Sequence, residues 1–333
     1  MKPFSKPPLS VDEQLRLLKD RGLTVLDDGR ARLFLEVVSL FRLSPYMRPF
    51  QHEGNPDHQF HDGTTLRQIV TVYRFDRELR NLVMDALERV EVAVRAGISN
   101  HMAPAHGAHW YLERAHFKDR YDHARLIQEV SSRMADEQRH FQREAQKIER
   151  SHAETEVKAR RIEHRKRDNY FRYYGQTYST PELPPSWAML EELSIGSLSH
   201  LYQGISRDSD RKKIAHRFKL PQEVLGSWLH TFTFVRNCCA HHSRLWNREL
   251  AIPPMLPKAG TWADQGPAGS PRPDRRLFIV LLMLAYLMTH ISPDSKWRHR
   301  FESLLKAYPE IPLSAMGMAE DWQAHPVWAA LQA

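Results

Sequence analysis

Residues 232–248 read FTFVRNCCAHHSRLWNR, and this stretch concentrates Arg, His and Asn without any Asp, Glu or Lys. Arg carries a permanent charge on a planar group that suits phosphate binding. His is the side chain that gives and takes a proton near neutral pH. The combination, bracketed by apolar residues, favours chemistry on a phosphodiester.

The spacing of these polar residues tests whether they can act together. On a continuous helix, Asn237 and His241 are four residues apart and share a face, as do Arg244 and Arg248. Arg236 and His241 are five residues apart, which separates them by about 140° on a helical wheel. A flat helix face therefore cannot present both to one phosphate. A groove between helices, a helix end or a two-fold interface with a second copy could do so.

Helical patterns extend outward from this stretch towards the N terminus. A capping box formed by Ser10 and Glu13 begins a helix over residues 10–21. A second helix is predicted over about 29–43, followed by a loop that begins near Pro45. The buried face predicted for that second helix is formed by Leu33, Val37, Leu40 and Phe41.

A long helix starts at Thr64 or Thr65, carries one apolar stripe and ends at Pro104 and Gly107. The fold class predicted is all-α, since no strand-rich segment or glycine-rich phosphate loop is present. The remaining predicted helices or helical hairpins cover 122–168, 189–205, 208–218, the segment from Pro221, 274–291 and 295–307.

The motif residues resemble those of a known superfamily. Arg236-Asn237 followed by His241 resembles the R-(N/H/D)-x-x-x-H motif of HEPN ribonucleases, although so short a pattern is weak by itself. The longer string RNCCAHHSRLWNR resembles the signature of Abi-like (AbiD/AbiF type) abortive-infection proteins of bacteria. Three other segments resemble the same family: ELR to Arg95 (78–95), HWYL (109–112) and PPSWAMLEELSIGSLSHLY (184–202).

The resemblance implies a HEPN-like helical bundle that works as a homodimer, with two motif copies meeting in a composite basic cleft. It implies a metal-independent endoribonuclease in anti-phage abortive infection, with no cofactor. Arg236 would neutralise phosphate charge, Asn237 would orient, and His241 would be the general acid or base. His242 duplicates His241, so which imidazole transfers the proton stays open. Supporting or RNA-binding roles are expected for His242, Arg244, Asn247, Arg248, Glu88, Glu91 and Arg95.

The chemistry expected is attack of the ribose 2′-hydroxyl on the neighbouring phosphorus, with His moving a proton and Arg stabilising the charge. Such an enzyme cuts RNA and spares DNA. The alternative is a non-catalytic RNA-binding protein that clamps a small RNA with the same cluster, and a structural module is a third. By their spacing of three and four alone, Glu88, Glu91 and Arg95 favour a solvated ion-pair face, and their role at the site is what the resemblance implies.

Four segments are expected. Residues 1–63 form an N-terminal helical segment, 64–121 with 170–250 the HEPN-like core, 122–169 a charged helical insertion, and 251–333 the C-terminal helices that complete the bundle. The basic end of the insertion reads as a solvated face or as a phosphate-binding tip. The aromatic stretch 170–187 reads as a base-stacking platform or as a loop packed on the bundle.

The net charge and the cysteine content of the chain indicate which partners and ligands to expect. A net charge of +8 favours polyanions such as RNA. The two adjacent cysteines build no disulfide framework and lack the further ligands that zinc needs, so they are predicted to be buried hydrophobic residues, with no metal. No signal peptide is recognised, and the longest apolar run, 277–291, is too short for a membrane span. A cytoplasmic protein restrained by an antitoxin or a small non-coding RNA is expected.

Overall fold

The computed structural model describes residue 3 and residues 7–258, 260–262 and 272–330. These residues form helices joined by turns, with isolated β-bridges and no sheet, which confirms the all-α fold class. The helices are α1 Val11–Asp20, α2 Asp28–Val38, α3 Leu40–Met47, α4 Leu66–His106, α5 His123–Glu149, α6 Thr155–Arg167, α7 Tyr170–Thr177, α8 Ser186–Glu192, α9 Ile195–Gly204, α10 Asp208–His216, α11 Gln222–Ala240, α12 Leu277–Ile291, α13 Trp297–Ala307 and α14 Pro326–Ala330.

The long helix α4 is the element around which the others pack, and α3, α8, α10, α11, α12 and α13 all contact it. Thr65 caps it, which confirms one of the two predicted starts, and it does so in a capping box with Gln68. Its end differs slightly from the prediction, because Pro104 lies inside the last turn and Gly107, at a φ of +94°, terminates the helix. The predicted apolar stripe is buried from Leu66 to Ile98 except at Tyr73, which is half-buried.

The single helix predicted over 29–43 is wrong. The chain breaks at Ser39, which adopts a φ of +69°, and the Ser39 hydroxyl accepts the Arg42 N–H to cap α3. Pro45 lies inside α3 and not in a loop. Proline has no backbone N–H, so α3 lacks one hydrogen bond at this position. The loss is tolerated because Pro45 lies near the end of a short helix.

The buried face predicted for this region is also wrong. Leu33, Val37 and Phe41 are 59%, 72% and 89% exposed, whereas Ala31 and Leu35 are buried. The kink at Ser39 changes the direction of the chain, so the 3.6-residue periodicity does not continue across it. Leu33 and Val37 of α2 and Phe41 of α3 are left uncovered, and we call these three exposed apolar side chains the α2–α3 strip.

The helix predicted over 189–205 consists of two helices that meet at Leu193 and Ser194. Ser194 has extended backbone, and its hydroxyl accepts the Ser197 N–H at 3.1 Å to cap α9. Gly196 lies in the first turn of α9, where an added Cβ would approach Thr233 Cγ2 of α11 to 3.3 Å. The glycine therefore permits the close packing of α9 on α11.

The charged segment forms the helical hairpin α5–α6, as predicted, and α7 packs against both of its helices. The Arg172 side chain of α7 is nearly buried and pairs with Glu137 and Glu144 of α5, each at 2.7 Å. The stretch 170–187, interpreted as a loop or a stacking platform, begins with this short helix. Phe171 and Tyr174 face the core.

Helix α12 is buried along nearly its whole length, which confirms the interpretation of the apolar run as a core helix. Among the described residues no helix combines the length and the apolarity that a membrane span requires. The irregular connection predicted after Leu250 falls partly outside the described residues, as does most of residues 1–6.

Candidate functional site

Helix α11 carries the first half of the motif and ends before the second half begins. It starts after Pro221 and finishes at Ala240, so His241 is its C-cap residue. The interpretation of Arg244 and Arg248 as one helical face is therefore wrong, because the chain has already left the helix. The spacing allowed a groove between helices, a helix end or a two-fold interface, and His241 lies at a helix end.

The end of α11 is a Schellman motif. The His242 N–H donates to the Cys239 carbonyl at 3.0 Å, and the Ser243 N–H donates to the Cys238 carbonyl at 2.8 Å. His242 has a φ of +55°, a conformation that glycine usually supplies at this position. The motif turns the chain sharply and leaves both imidazoles exposed.

The segment after the helix is anchored by a buried carboxylate. Asp76 of α4, fully buried, accepts the backbone N–H groups of Leu245 at 3.0 Å and Trp246 at 2.6 Å. Its other oxygen accepts the Tyr46 hydroxyl at 2.6 Å and the guanidinium of Arg80. These donors join α3, α4 and the motif segment at one point.

Charge and burial act against each other at Asp76. Burial raises the pKa of its carboxyl above the usual value, and the Arg80 guanidinium and the hydrogen bonds from Tyr46, Trp246 and Leu245 offset only part of that rise. Because every partner is a donor, the ionised carboxylate is the form that the site accommodates. Sequence reasoning missed Asp76. The available signal was an acidic residue on the buried stripe of α4, four residues before an Arg.

The imidazoles open onto a cleft of about 540 Å³, which we call the His241 cleft. Every charged side chain that lines it is a guanidinium, and no Asp or Glu contributes to its lining. Arg42 donates to the His242 carbonyl at 2.6 Å, and Arg244 donates to the Pro45 carbonyl at 2.7 Å. The lining consists of Ser39, Phe41, Arg42, Pro45, Tyr46, Arg48, His241, His242, Ser243, Arg244 and Arg248.

The guanidiniums of this cleft are held by backbone carbonyls and not by carboxylates. Arg248 donates to the Arg244 carbonyl at 2.6 Å, and the guanidinium of Arg48 has no hydrogen bond or ion pair with any residue that the structure describes. Burial, and secondarily the neighbouring Arg248, lowers the pKa of Arg244. The cleft thus keeps uncompensated positive charge, which is the electrostatic requirement of an anion site.

A second groove of about 840 Å³ continues from the His241 cleft and shares Arg48 and Arg244 with it. We call it the 51–61 groove, since the loop of those residues forms most of its wall. Sequence reasoning treated this loop only as a connection. The groove is lined by Arg48, Pro49, Gln51, His52, Glu53, Gly54, Asn55, His58, His61, Arg244 and Asn247.

Arg236 and Asn237 lie outside both cavities. Arg236 is half-buried and Asn237 is exposed, and neither lines the His241 cleft. Thr233, one turn before Arg236 on the same flank of α11, faces Gly196 of α9. A single chain therefore brings His241, His242, Arg244 and Arg248 together, but it does not add Arg236 to that cleft.

Residues 33–247, more than half of the chain, match the profile of the Abi-like protein family. The chain belongs to the Abi-like family. The match includes α3, α4, the 51–61 loop and the motif as far as Asn247, and thus nearly all of both cavities. No match was found among curated proteins or among solved structures. Family membership indicates a role in abortive infection.

In this Abi-like chain the acidic and basic residues of α4 predicted to support the site do not reach the His241 cleft. Arg95 pairs with Glu91 one turn away, and it donates to the Leu193 carbonyl at 2.9 Å. A weaker pair joins Arg95 to Glu191 at 3.3 Å. Glu88 is exposed. None of the α4 residues lines the His241 cleft, and Arg95 instead ties α4 to the junction of α8 and α9.

The cysteines of the Abi-like motif are buried free thiols, which confirms their interpretation as small hydrophobic residues. Burial raises the pKa of Cys238, and it raises the pKa of Cys239 to about 12. Both thiols therefore stay protonated at neutral pH and are poor nucleophiles. Within the described residues no three His, Cys, Asp or Glu side chains are grouped as a metal site would require.

Proposed function

We propose that the chain is a HEPN-type, metal-independent endoribonuclease of abortive infection and that the His241 cleft is its active site. One observation carries the proposal: two exposed imidazoles at a helix end face a cleft whose charged lining is entirely guanidinium. Guanidinium binds phosphate oxygens through paired N–H groups. Imidazole supplies the proton transfer that phosphodiester cleavage needs at neutral pH.

The reaction begins when the ribose 2′-oxygen attacks the adjacent phosphorus. A 2′-O–P bond forms, the P–O5′ bond breaks, and the products carry a 2′,3′-cyclic phosphate and a 5′-hydroxyl. The 2′-hydroxyl loses one proton and the 5′-oxygen gains one, and His241 performs one of these two transfers. The cleft guanidiniums stabilise the charge that grows on the non-bridging oxygens.

The proposal includes a homodimer. Arg236 and Asn237 do not line the cleft of their own chain, so a second copy is the source from which they would reach the phosphate. The uncovered α2–α3 strip supports such an assembly, because its Phe41 lines the His241 cleft. A second chain on this strip would lie beside the reacting phosphate.

The test compares labelled single-stranded RNA with DNA of the same sequence, each incubated with the pure protein with and without EDTA. We expect cleavage of RNA alone, no effect of EDTA, and loss of cleavage by a factor of about 100 or more in His241→Ala. His200→Ala, which removes an exposed imidazole from α9, is the matched control. Cleavage of both nucleic acids, or a fully active His241→Ala protein, would overturn the mechanism.

The second candidate function is RNA binding without cleavage, and the position of Arg236 favours it. A single chain provides guanidiniums for phosphates but separates the two residues of the predicted catalytic pair. The same assay distinguishes the two functions, since tight binding of intact RNA by the wild-type protein supports this candidate. A small non-coding RNA or an antitoxin is the partner that would restrain either activity.

A further inference from the structure

The 51–61 loop is a built wall and not a loose connection. The His52 N–H donates to the Gln59 carbonyl at 3.0 Å, and the His61 N–H donates to the Phe50 carbonyl at 2.9 Å, which pairs the two sides of the loop. Phe60 is buried, and its N–H donates to the Arg21 carbonyl at 2.8 Å. The loop thus holds a defined shape against the N-terminal helices.

The side chains on this wall suit a nucleobase. His52 and His61 are exposed and meet edge to face, with ring centroids 4.3 Å apart. Flat aromatic rings are the surfaces on which unpaired RNA bases stack. The amides of Gln51 and Asn247 make no side-chain hydrogen bond with the described residues, so both can donate to and accept from a base edge.

The 51–61 groove adjoins the His241 cleft. An RNA strand that runs through both would place a base in the groove and the neighbouring phosphate in the cleft. Arg48 and Arg244 line both cavities and stand at their junction, where a phosphate would pass from one to the other. Glu53 is the one carboxylate in the lining of the groove. Both cavities fall within the range of about 300–1,000 Å³ that is usual for ligand sites.

We propose that the 51–61 groove is a nucleotide subsite, which holds the unstacked base next to the phosphate bound in the His241 cleft. The base packs on the His52–His61 pair and hydrogen bonds to the amides, while Arg48 and Arg244 hold the connecting phosphate. The inference rests on the proposed function for the position of the reacting phosphate. According to this inference, the 51–61 groove determines which base of single-stranded RNA the protein prefers.

The experiment measures binding of short fluorescent RNA homopolymers (A, C, G and U) by fluorescence anisotropy. The His241→Ala protein is the parent, so that no RNA is cut during the measurement. We expect His52→Ala/His61→Ala to weaken binding by about tenfold for the preferred base and to reduce the differences among homopolymers. Gln51→Ala, which leaves the rings in place, changes the base preference more than the affinity.

The matched control is His200→Ala/His230→Ala, which removes another exposed imidazole pair, with centroids 6.3 Å apart, from outside both cavities. This control should bind all four homopolymers like the parent. Parent-like affinity and base preference in both the His52→Ala/His61→Ala and Gln51→Ala proteins would overturn the subsite. If that result accompanies RNA cleavage by the wild-type protein, the proposed function survives without it. If binding weakens as expected but the wild-type protein does not cleave RNA, the result supports the subsite and contradicts the proposed nuclease activity.

Discussion

At the scale of single residues, Asp76 does most to shape the candidate site without lining the His241 cleft. It stabilises the backbone of Leu245 and Trp246, and that backbone sets where Arg244 and Arg248 emerge. A buried carboxylate is tolerable only because guanidinium, hydroxyl and amide donors surround it. The position of the motif segment therefore depends on an interaction between residues about 170 positions apart in the chain.

We expect Asp76→Asn to lower the free energy of unfolding by about 3–5 kcal/mol, because the guanidinium of Arg80 would remain buried without its counter-charge. Urea-induced unfolding measures the effect. Asp85→Asn is the control, since Asp85 pairs with Arg89 and Arg300 near the surface and its loss should cost about 1 kcal/mol or less. Equal losses in the two variants would contradict the role assigned to Asp76.

A second residue-scale prediction concerns His242, whose φ of +55° is strained for any residue with a Cβ. We expect His242→Gly to keep or raise the free energy of unfolding by up to about 1 kcal/mol, because glycine suits the C′ position of a Schellman motif. His241→Gly, at a φ of −86°, should instead lose about 0.5–1 kcal/mol.

The same variant tests which imidazole transfers the proton. If His241 is the catalytic group, His242→Gly retains RNA cleavage within about tenfold of the wild-type protein, a small loss on the scale of general acid–base catalysis. Cleavage that disappears in a stably folded His242→Gly protein would assign the transfer to His242. Unfolding and cleavage are measured on the same preparation, so a folding defect cannot be mistaken for a chemical one.

At the scale of elements, two helical glycines pack against aromatic rings that lie just outside other helices. Gly204 ends α9 against the ring of Tyr121, and an added Cβ would overlap that ring. Gly97 of α4 faces Phe218 at an ordinary contact distance of 3.6 Å. Two helical glycines thus have different roles, which their sequence neighbours do not reveal.

We expect Gly204→Ala to lower the free energy of unfolding by about 1–3 kcal/mol, since the Tyr121 ring must move. Gly97→Ala should raise it by up to about 1 kcal/mol, because alanine has the higher helix propensity and a methyl group fits there. Urea unfolding of the two variants checks the opposite signs. A stabilising Gly204→Ala would show that α9 and Tyr121 do not pack as described.

At the scale of the whole molecule, the uncovered α2–α3 strip reaches the basic His241 cleft through Phe41. The strip consists of Leu33, Val37 and Phe41. Phe41 also lines the His241 cleft, together with the polar residues of that cleft. An apolar patch rimmed by charge is typical of a protein–protein contact. The predicted homodimer would cover this strip and would close the cleft from one side.

We expect Val37→Asp to shift the protein from dimer to monomer, because a carboxylate buried without a partner opposes association. Light scattering coupled to size-exclusion chromatography measures the change, and RNA cleavage should fall with the dimer. Val92→Asp, also on an exposed helical position, is the matched control and should leave the mass unchanged. A wild-type monomer that cleaves RNA would contradict the composite cleft.

The sequence alone determined the elements whose signals are local. Capping residues located α1 and α4, and apolar periodicity located the stripe of α4 and the buried α12. The motif, with its resemblance, pointed correctly to the Abi-like family. These features depend on neighbours within one or two turns, so the order of residues contains the information they need.

Only the tertiary structure decided how the candidate site is assembled. The chain breaks at Ser39, α11 ends before His241, and Arg236 lies outside the His241 cleft. The residue spacing that predicted continuous helices contained none of these three features. The 51–61 loop and Asp76 join the motif through contacts between segments far apart in the chain. Spacing along one helix says which side chains share a face, but it contains no information on what another segment places opposite that face.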